Sequence, residues 1–246
     1  MEAGASDLGV AFLDEALEIL EAGIRARIVI LGHTSVEAVE VAIRNDVAIT
    51  VFTEETMSAI SACCEKNGLK ARVHLKIDTG MTRLGVASVE EAYRLASQAM
   101  TSGSIELEGI FTHFADADNK DDTFTRIQFG KFMVLVAELE RRNIHIPLKH
   151  CCNSAATVKF PEMHLDMVRI GMYGLLPLLR GREAALTMID VTRVPGVCIG
   201  DDAMMFGDSQ GHLLVDEIAQ RMRSINYEVV CNVGKRVPRV YRTKLY

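Results

Sequence analysis

No CxxC spacing occurs among the six cysteines, which stand as the adjacent pairs Cys63-Cys64 and Cys151-Cys152 with Cys198 and Cys231 apart. That pattern excludes a zinc-ribbon spacing and a thioredoxin-type redox motif. No signal-peptide pattern precedes them, so the inventory reads as reduced thiols and the chain is expected to be cytoplasmic. No apolar run approaches the length of a membrane span, so no membrane partner is expected. Nor is there a basic stripe. The net charge is −6 and charges of both signs are interspersed, which argues against nucleic acid as the main partner. What remains is 246 residues at 49% hydrophobic content, enough for a single α/β barrel or for two small domains.

Strands and amphipathic helices alternate along most of the chain. Strands are expected at Leu8–Phe12, Arg27–Leu31 and Val47–Val51, around Val73, and at Leu107–His113, Pro147–Cys151 and Leu165–Ile170. Helices between them are signalled by Leu13, Ala16, Leu17 and Leu20 with Gly23 as a stop, by Ser35 as a cap, and by the stretches 54–66, 89–100 and 125–142. Such alternation implies a parallel sheet with right-handed crossovers, and seven strands is one short of a TIM barrel. The fold expected is therefore an incomplete (β/α)8 barrel over residues 1–178. Beyond Leu178 short strands, turns and a helix near Val215–Met222 replace the pattern, giving a reduced β-rich segment over residues 187–246.

The stretch that organises the rest is Val73 to Gly85. Val73, Leu75 and Ile77 alternate with His74, Lys76 and Asp78, so one strand face is apolar and the other titratable. A charge inside a covered parallel sheet needs a partner or a task, and Lys76 either pairs with Asp78 or another carboxylate or serves a site. Other chemical residues fall at strand ends, where TIM barrels gather their catalytic groups: His113, His150 and Arg169. Asn153 and Ser154 open a helix directly after His150. They read either as an anion site or as ordinary N-caps. Gly171 and Gly174 allow close backbone approach to a ligand.

His74-Leu75-Lys76-Ile77-Asp78-Thr79-Gly80-Met81, followed by Arg83-Leu84-Gly85, resembles the signature of alanine racemases. These are pyridoxal-phosphate enzymes that interconvert L- and D-alanine. The resemblance implies pyridoxal 5'-phosphate as cofactor, alanine as substrate, D-alanine supply to the cell wall as the pathway and a homo-oligomer, commonly a homodimer. It implies a carbamylated Lys76 held by Arg83, which in turn contacts the cofactor's phenolic oxygen and the substrate carboxylate. It also implies His113 packed on the pyridine ring, with Ser154 beside Asn153, the amide near Gly171, and Tyr227 on the phosphate. Arg169 would donate to the pyridine nitrogen, with His150 orienting it.

The family's Schiff-base lysine, on its first barrel strand, and its catalytic tyrosine, expected between Leu178 and Thr187, have no match in this sequence. Three readings follow: an alanine racemase in shortened form, a catalytically silent cofactor binder, or a remnant acting as an interaction subunit. A missing strand also implies either direct closure of the sheet or an open seam that pairs with another copy.

Overall fold

In the computed structural model the described residues are 5–171 together with Gly196, Asp216, Glu217 and Gln220. The chain divides into two compact units, Met1–Gly174 and Leu175–Tyr246, and the fold below is that of the first. The expectations for residues 187–246, Gly174 and Tyr227 fall outside the described residues, as does the Val215–Met222 helix apart from its three described positions.

Six strands alternate with helices: β1 Asp7–Val10, α1 Leu13–Glu21, β2 Arg27–Ile30, α2 Val36–Arg44, β3 Val47–Val51, α3 Glu54–Asn67, β4 Ala71–Lys76, α4 Val89–Thr101, β5 Ile105–Phe111, α5 Thr123–Arg141, β6 Leu148–His150 and α6 Ser154–Lys159. They form one sheet in chain order, β1 to β6, and each neighbouring pair is parallel. This is the arrangement of an incomplete α/β barrel. Among the described residues β1 and β6 are edges, with no ladder joining them. Direct closure of the sheet is therefore not the solution adopted there.

Side-chain alternation sorts the two faces. Val73, Leu75 and Ile77 of the β4 segment join one core cluster with Met57, Ile60 and Cys64 of α3, Ala92, Leu95 and Ala96 of α4, and Phe132, Leu135 and Leu139 of α5. Each such aliphatic side chain contributes about 1.5–3 kcal/mol on burial, so this outer layer carries the fold's stability. Helix ends follow local chemistry. Thr53 accepts from the Thr56 amide, and Ser88 accepts from the Glu91 amide while donating to the Glu91 carboxylate, so both are working N-caps. Ser35 takes the expected cap position, but its side chain caps no amide, and the Ala38 amide donates to the Ser35 carbonyl instead.

The expected seventh strand, Leu165–Ile170, is absent. Leu165 sits at φ +53, in the left-handed region, which breaks an extended run at its first residue. The segment still follows the β6 edge. The Asp166 amide donates to the Lys149 carbonyl at 3.1 Å, the Lys149 amide donates to the Asp166 carboxylate at 2.8 Å, and the Arg169 amide donates to the Cys152 carbonyl at 3.0 Å. Spacing these bonds at every third residue does not make a ladder, but it anchors Arg169 beside β6.

Gln128 fastens α5 to the sheet's C-terminal end. Fully buried, it accepts from the Ala115 amide at 2.9 Å and donates to Thr79 Oγ1 and to the His113 carbonyl, both at 3.2 Å. Gln128→Leu keeps the volume but strips partners from buried groups. It is expected to lower unfolding stability by about 1–3 kcal/mol, measurable as a reduced urea midpoint with unchanged slope.

Candidate active site

The polar face of β4 points away from the helices and is almost fully covered. His74 is 3% and Lys76 4% exposed. Asp78 is not the partner of Lys76. Its carboxylate accepts from the amides of Gly80, Thr82 and Arg83 at 2.8, 3.0 and 3.2 Å, pinning the loop after β4. The loop returns through Asp78 N–H to the Val86 carbonyl and Val86 N–H to the Lys76 carbonyl. Gly85, at φ +128, makes that return possible, because a Cβ there would lie 2.6 Å from the Asp78 nitrogen. Lys76 Nζ instead lies 4.6 Å from the centre of the Phe111 ring, with no ion pair among the described residues. Burial, then the nearby Arg83 and Arg169, pull its pKa down to about 7. Beside it the Arg83 Nε is buried without a hydrogen-bond partner.

Arg169 is clamped by backbone and ring acceptors. One terminal nitrogen donates to His150 Nδ1 at 2.7 Å, and the other to the carbonyls of Thr112 and Cys151 at 2.8 and 3.1 Å and to His113 Nδ1 at 3.5 Å. An arginine can only donate, which fixes the tautomers beyond it. His150 accepts at Nδ1, so its proton is on Nε2 and points to His74 Nδ1 at 3.1 Å; His74 then carries its proton on Nε2, toward the Glu108 carboxylate at 3.2 Å. Both ends of the chain, a guanidinium and a carboxylate, demand the same direction. Glu108 is further held by Arg72 at 3.1 Å and by Arg27, which also meets Asp7 at 3.2 Å. A line of bonded polar groups thus crosses the inner face from β1 to the segment after β6.

A bulge in β5 makes room for it. Val73 is paired with Leu107 but His74 with Gly109, so Glu108 is the extra residue, aimed inward with Gly109 beside it. Phe111 completes the floor, stacking on His150 with ring centres 4.7 Å apart and lying 5.3 Å from the Arg169 guanidinium carbon.

Burial, reinforced mainly by Arg169, keeps His113 neutral to a pKa of about 3. His74 is held at about 4 by burial and then by Arg72, and His150 well below its ordinary value by burial and then Arg169. Folded pKa values below the unfolded 6.5 mean that the unfolded chain takes up protons first as pH falls. The stability tied to neutral histidines is complete above pH 6.5. It is expected to decline below that by about 1.4 kcal/mol per pH unit for each histidine, His74 ceasing to contribute near pH 4 and His113 near pH 3. Urea unfolding at stepped pH measures this slope.

Asn153 caps α6, accepting from the Ala156 amide at 3.0 Å, and its amide nitrogen donates to the Phe114 carbonyl. The N-cap alternative is therefore realised at Asn153. Ser154 Oγ accepts from the Gly171 amide at 3.0 Å, which brings those two expected residues together. Cys151 and Cys152 both direct their thiols to the Met163 carbonyl, at 3.1 and 3.2 Å. The structure thus gathers Lys76, His113, His150 and Arg169 around Phe111, with Arg83 close to Lys76, and sets Ser154 against Gly171. Phe111, Glu108 and His74 were not anticipated as parts of one assembly. The Glu108-Gly109 pair inside an apolar run was the available signal for the bulge.

The alanine racemase N-terminal domain family matches residues 1–177, and the alanine racemase C-terminal domain family matches residues 185–241. An alanine racemase of Oceanobacillus iheyensis is 37% identical over 321 residues, covering 98% of this chain and 85% of that protein. An alanine racemase of Desulfovibrio desulfuricans is 36% identical over 315 residues, covering 97% and 84%. Among solved structures, an alanine racemase of Clostridium difficile 630 superposes with a TM-score of 0.68 at 27% identity, covering 99% of this chain and 82% of that one. The Oceanobacillus match is 321 positions long against 246 residues here, so within it that relative carries at least 75 residues without a counterpart in this chain.

Proposed function

Because this chain belongs to the alanine racemase family, we propose that its inner face at the ends of β4, β5 and β6 binds pyridoxal 5'-phosphate. The observation that carries this reading is the clamp on Arg169. Its guanidinium is fixed by four acceptors while burial lowers its pKa only to about 10, so it stays a charged donor at neutral pH. Such a group beside a pyridine nitrogen donates to that nitrogen without giving up its proton. When bound, the cofactor supplies an electron sink for a carbanion at the substrate's α-carbon, and an unprotonated ring weakens that sink in favour of racemisation. His113, held neutral, offers a flat ring face next to Arg169. The Ser154 hydroxyl, the Gly171 amide and, by resemblance, Tyr227 suit the phosphate. The donor set suits the group in kind, with cationic, neutral-aromatic and hydroxyl functions on one face, and the Arg83 Nε is buried without a hydrogen-bond partner, which suits an anionic oxygen.

Racemisation needs a proton-transfer group on each face of the α-carbon. Among the described residues Lys76 is the one amine on this face, and no described tyrosine reaches it. We therefore assign this chain cofactor binding, with interconversion of L- and D-alanine as the reaction of its family, and expect no enzyme-like racemisation from the chain as given. Titration with pyridoxal 5'-phosphate followed by absorbance, together with a D-alanine assay, tests both halves. A flat titration overturns the binding reading, and rapid D-alanine formation overturns the limit on turnover.

The β1 edge favours a homo-oligomer as the working form. Its outward N–H and C=O groups have no strand partner among the described residues, and an open strand edge recruits a neighbour. Sedimentation is expected to show mass rising with concentration; a monomer at all concentrations removes this expectation.

A further inference from the structure

We propose that Cys151 and Cys152 form a modification site for peroxides, a dithiol that closes to a disulfide and thereby loosens the hold on Arg169. Its effect on binding rests on the cofactor reading above. Both side chains are fully buried, and both thiols donate to one atom, the Met163 carbonyl oxygen, at 3.1 and 3.2 Å. In an extended chain adjacent side chains point to opposite faces, whereas here a shared acceptor turns both sulfurs to one spot. That acceptor belongs to a single turn of 3-10 helix, Pro161–Met163, whose Pro161 and Glu162 are exposed. The bonds that fix the thiols thus run to a surface turn, short enough to open locally and admit a small oxidant.

Cys63 and Cys64 supply the contrast. They are also adjacent, but they lie inside α3, where neighbouring side chains do not face each other. Chemical state favours the first pair. The neighbouring Cys151 thiol lowers the Cys152 pKa against the effect of burial, and Arg169 lowers it further. The thiolate is the form that attacks an oxidant.

The step balances with hydrogen peroxide as the oxidant. The Cys152 sulfur attacks one peroxide oxygen, an S–O bond forms as the O–O bond breaks, and the departing hydroxide takes up the Cys152 proton and leaves as water. The Cys151 sulfur then attacks the sulfenic sulfur. An S–S bond forms, the S–O bond breaks, and the second hydroxide leaves as water with the Cys151 proton. Two thiols are oxidised and one peroxide is reduced to two waters.

Backbone geometry links this ring to Arg169. Disulfides usually hold their Cα atoms roughly 4.4–6.8 Å apart, but neighbours across a trans peptide are fixed at about 3.8 Å. Closure between adjacent residues must therefore twist the peptide that joins them. The carbonyl of that peptide is the one on Cys151, which accepts from the Arg169 guanidinium at 3.1 Å; the next, on Cys152, accepts from the Arg169 amide at 3.0 Å. Twisting the first and dragging the second pulls acceptors away from Arg169. A disulfide strained in this way is also readily reduced, so the change reverses.

The test treats the full chain, reduced beforehand, with hydrogen peroxide and maps its cysteines by mass. Loss of two hydrogens at Cys151-Cys152, with both thiols closed to alkylation and restored by dithiothreitol, supports the site. An absorbance titration with pyridoxal 5'-phosphate is then run on both forms. The oxidised form is expected to bind roughly fivefold more weakly, the equivalent of one lost hydrogen bond. Cys151→Ala and Cys152→Ser are each expected to abolish the difference between treated and untreated samples. Oxidation confined to other cysteines, or sulfinic acid at Cys152 without closure, overturns the proposal. Closure with an unchanged titration midpoint overturns its link to Arg169 and leaves the cofactor reading standing. A flat titration in both forms, with closure intact, overturns the cofactor reading and supports the dithiol site alone.

Discussion

Gly109→Ala is expected to unseat His74 and lower unfolding stability by about 3 kcal/mol, the upper end of what overpacking a tight core costs. A Cβ at this position would lie 2.3 Å from His74 Nδ1 and 2.5 Å from its Cε1. The ring has nowhere to go without abandoning a partner, because Nδ1 accepts from His150 and Nε2 donates to Glu108. Displacing it leaves a buried carboxylate short of a donor and His150 short of an acceptor, so the damage spreads in both directions. Urea unfolding measures the loss. A variant as stable as the parent would show that the β5 bulge can open, and that the path from Glu108 to Arg169 is not held tightly.

Arg169→Ala is expected to produce the second large effect, on binding as well as on folding. Removing the guanidinium leaves His150 Nδ1 and the carbonyls of Thr112 and Cys151 unpaired, each at about 1–3 kcal/mol if no water replaces the donor. A lost charge-assisted bond to the cofactor corresponds to roughly a 10- to 100-fold weaker affinity. Arg169→Lys separates the two effects. It keeps a positive charge but has one nitrogen where the fork used two, so it should recover part of the affinity and little of the stability. An absorbance titration with unchanged midpoint in both variants would remove Arg169 from the cofactor site.

The barrel-like order was legible because parallel strands covered by helices leave a strong periodic trace, and every one of the first six strands announced itself in that way. Leu165–Ile170 shows the limit. Its mostly apolar run reads as a strand, but a left-handed Leu165 turns the chain so that its backbone meets the β6 segment only at every third residue, Asp166 and Arg169. Local sequence does not encode that turn strongly, since any residue other than glycine pays for it and tertiary bonds decide. Lys76 and Asp78 were open between pairing with each other and serving separately. What decided was the loop after β4, whose three amides converge on the Asp78 carboxylate, a feature visible only once the loop is folded. Phe111 carries no signal of its own in the sequence, and it forms the floor of the site because the bulge at Glu108 resets which side chains of β5 face inward.

The sheet's order has a consequence for how the protein comes into being. Each strand from β2 to β5 bonds to the strand before it and the strand after it in the chain, so no pairing waits for a distant segment to arrive. Closing a loop of one helix and two turns costs little more entropy than closing a shorter one, and contacts of modest sequence separation favour rapid folding. Growth from β1 onward can thus follow synthesis, each βα step docking on a surface already present. The Arg169 clamp is made last, because its acceptors lie on Thr112, His113, His150 and Cys151 and its own segment follows them all. An emerging chain therefore acquires its scaffold before its site.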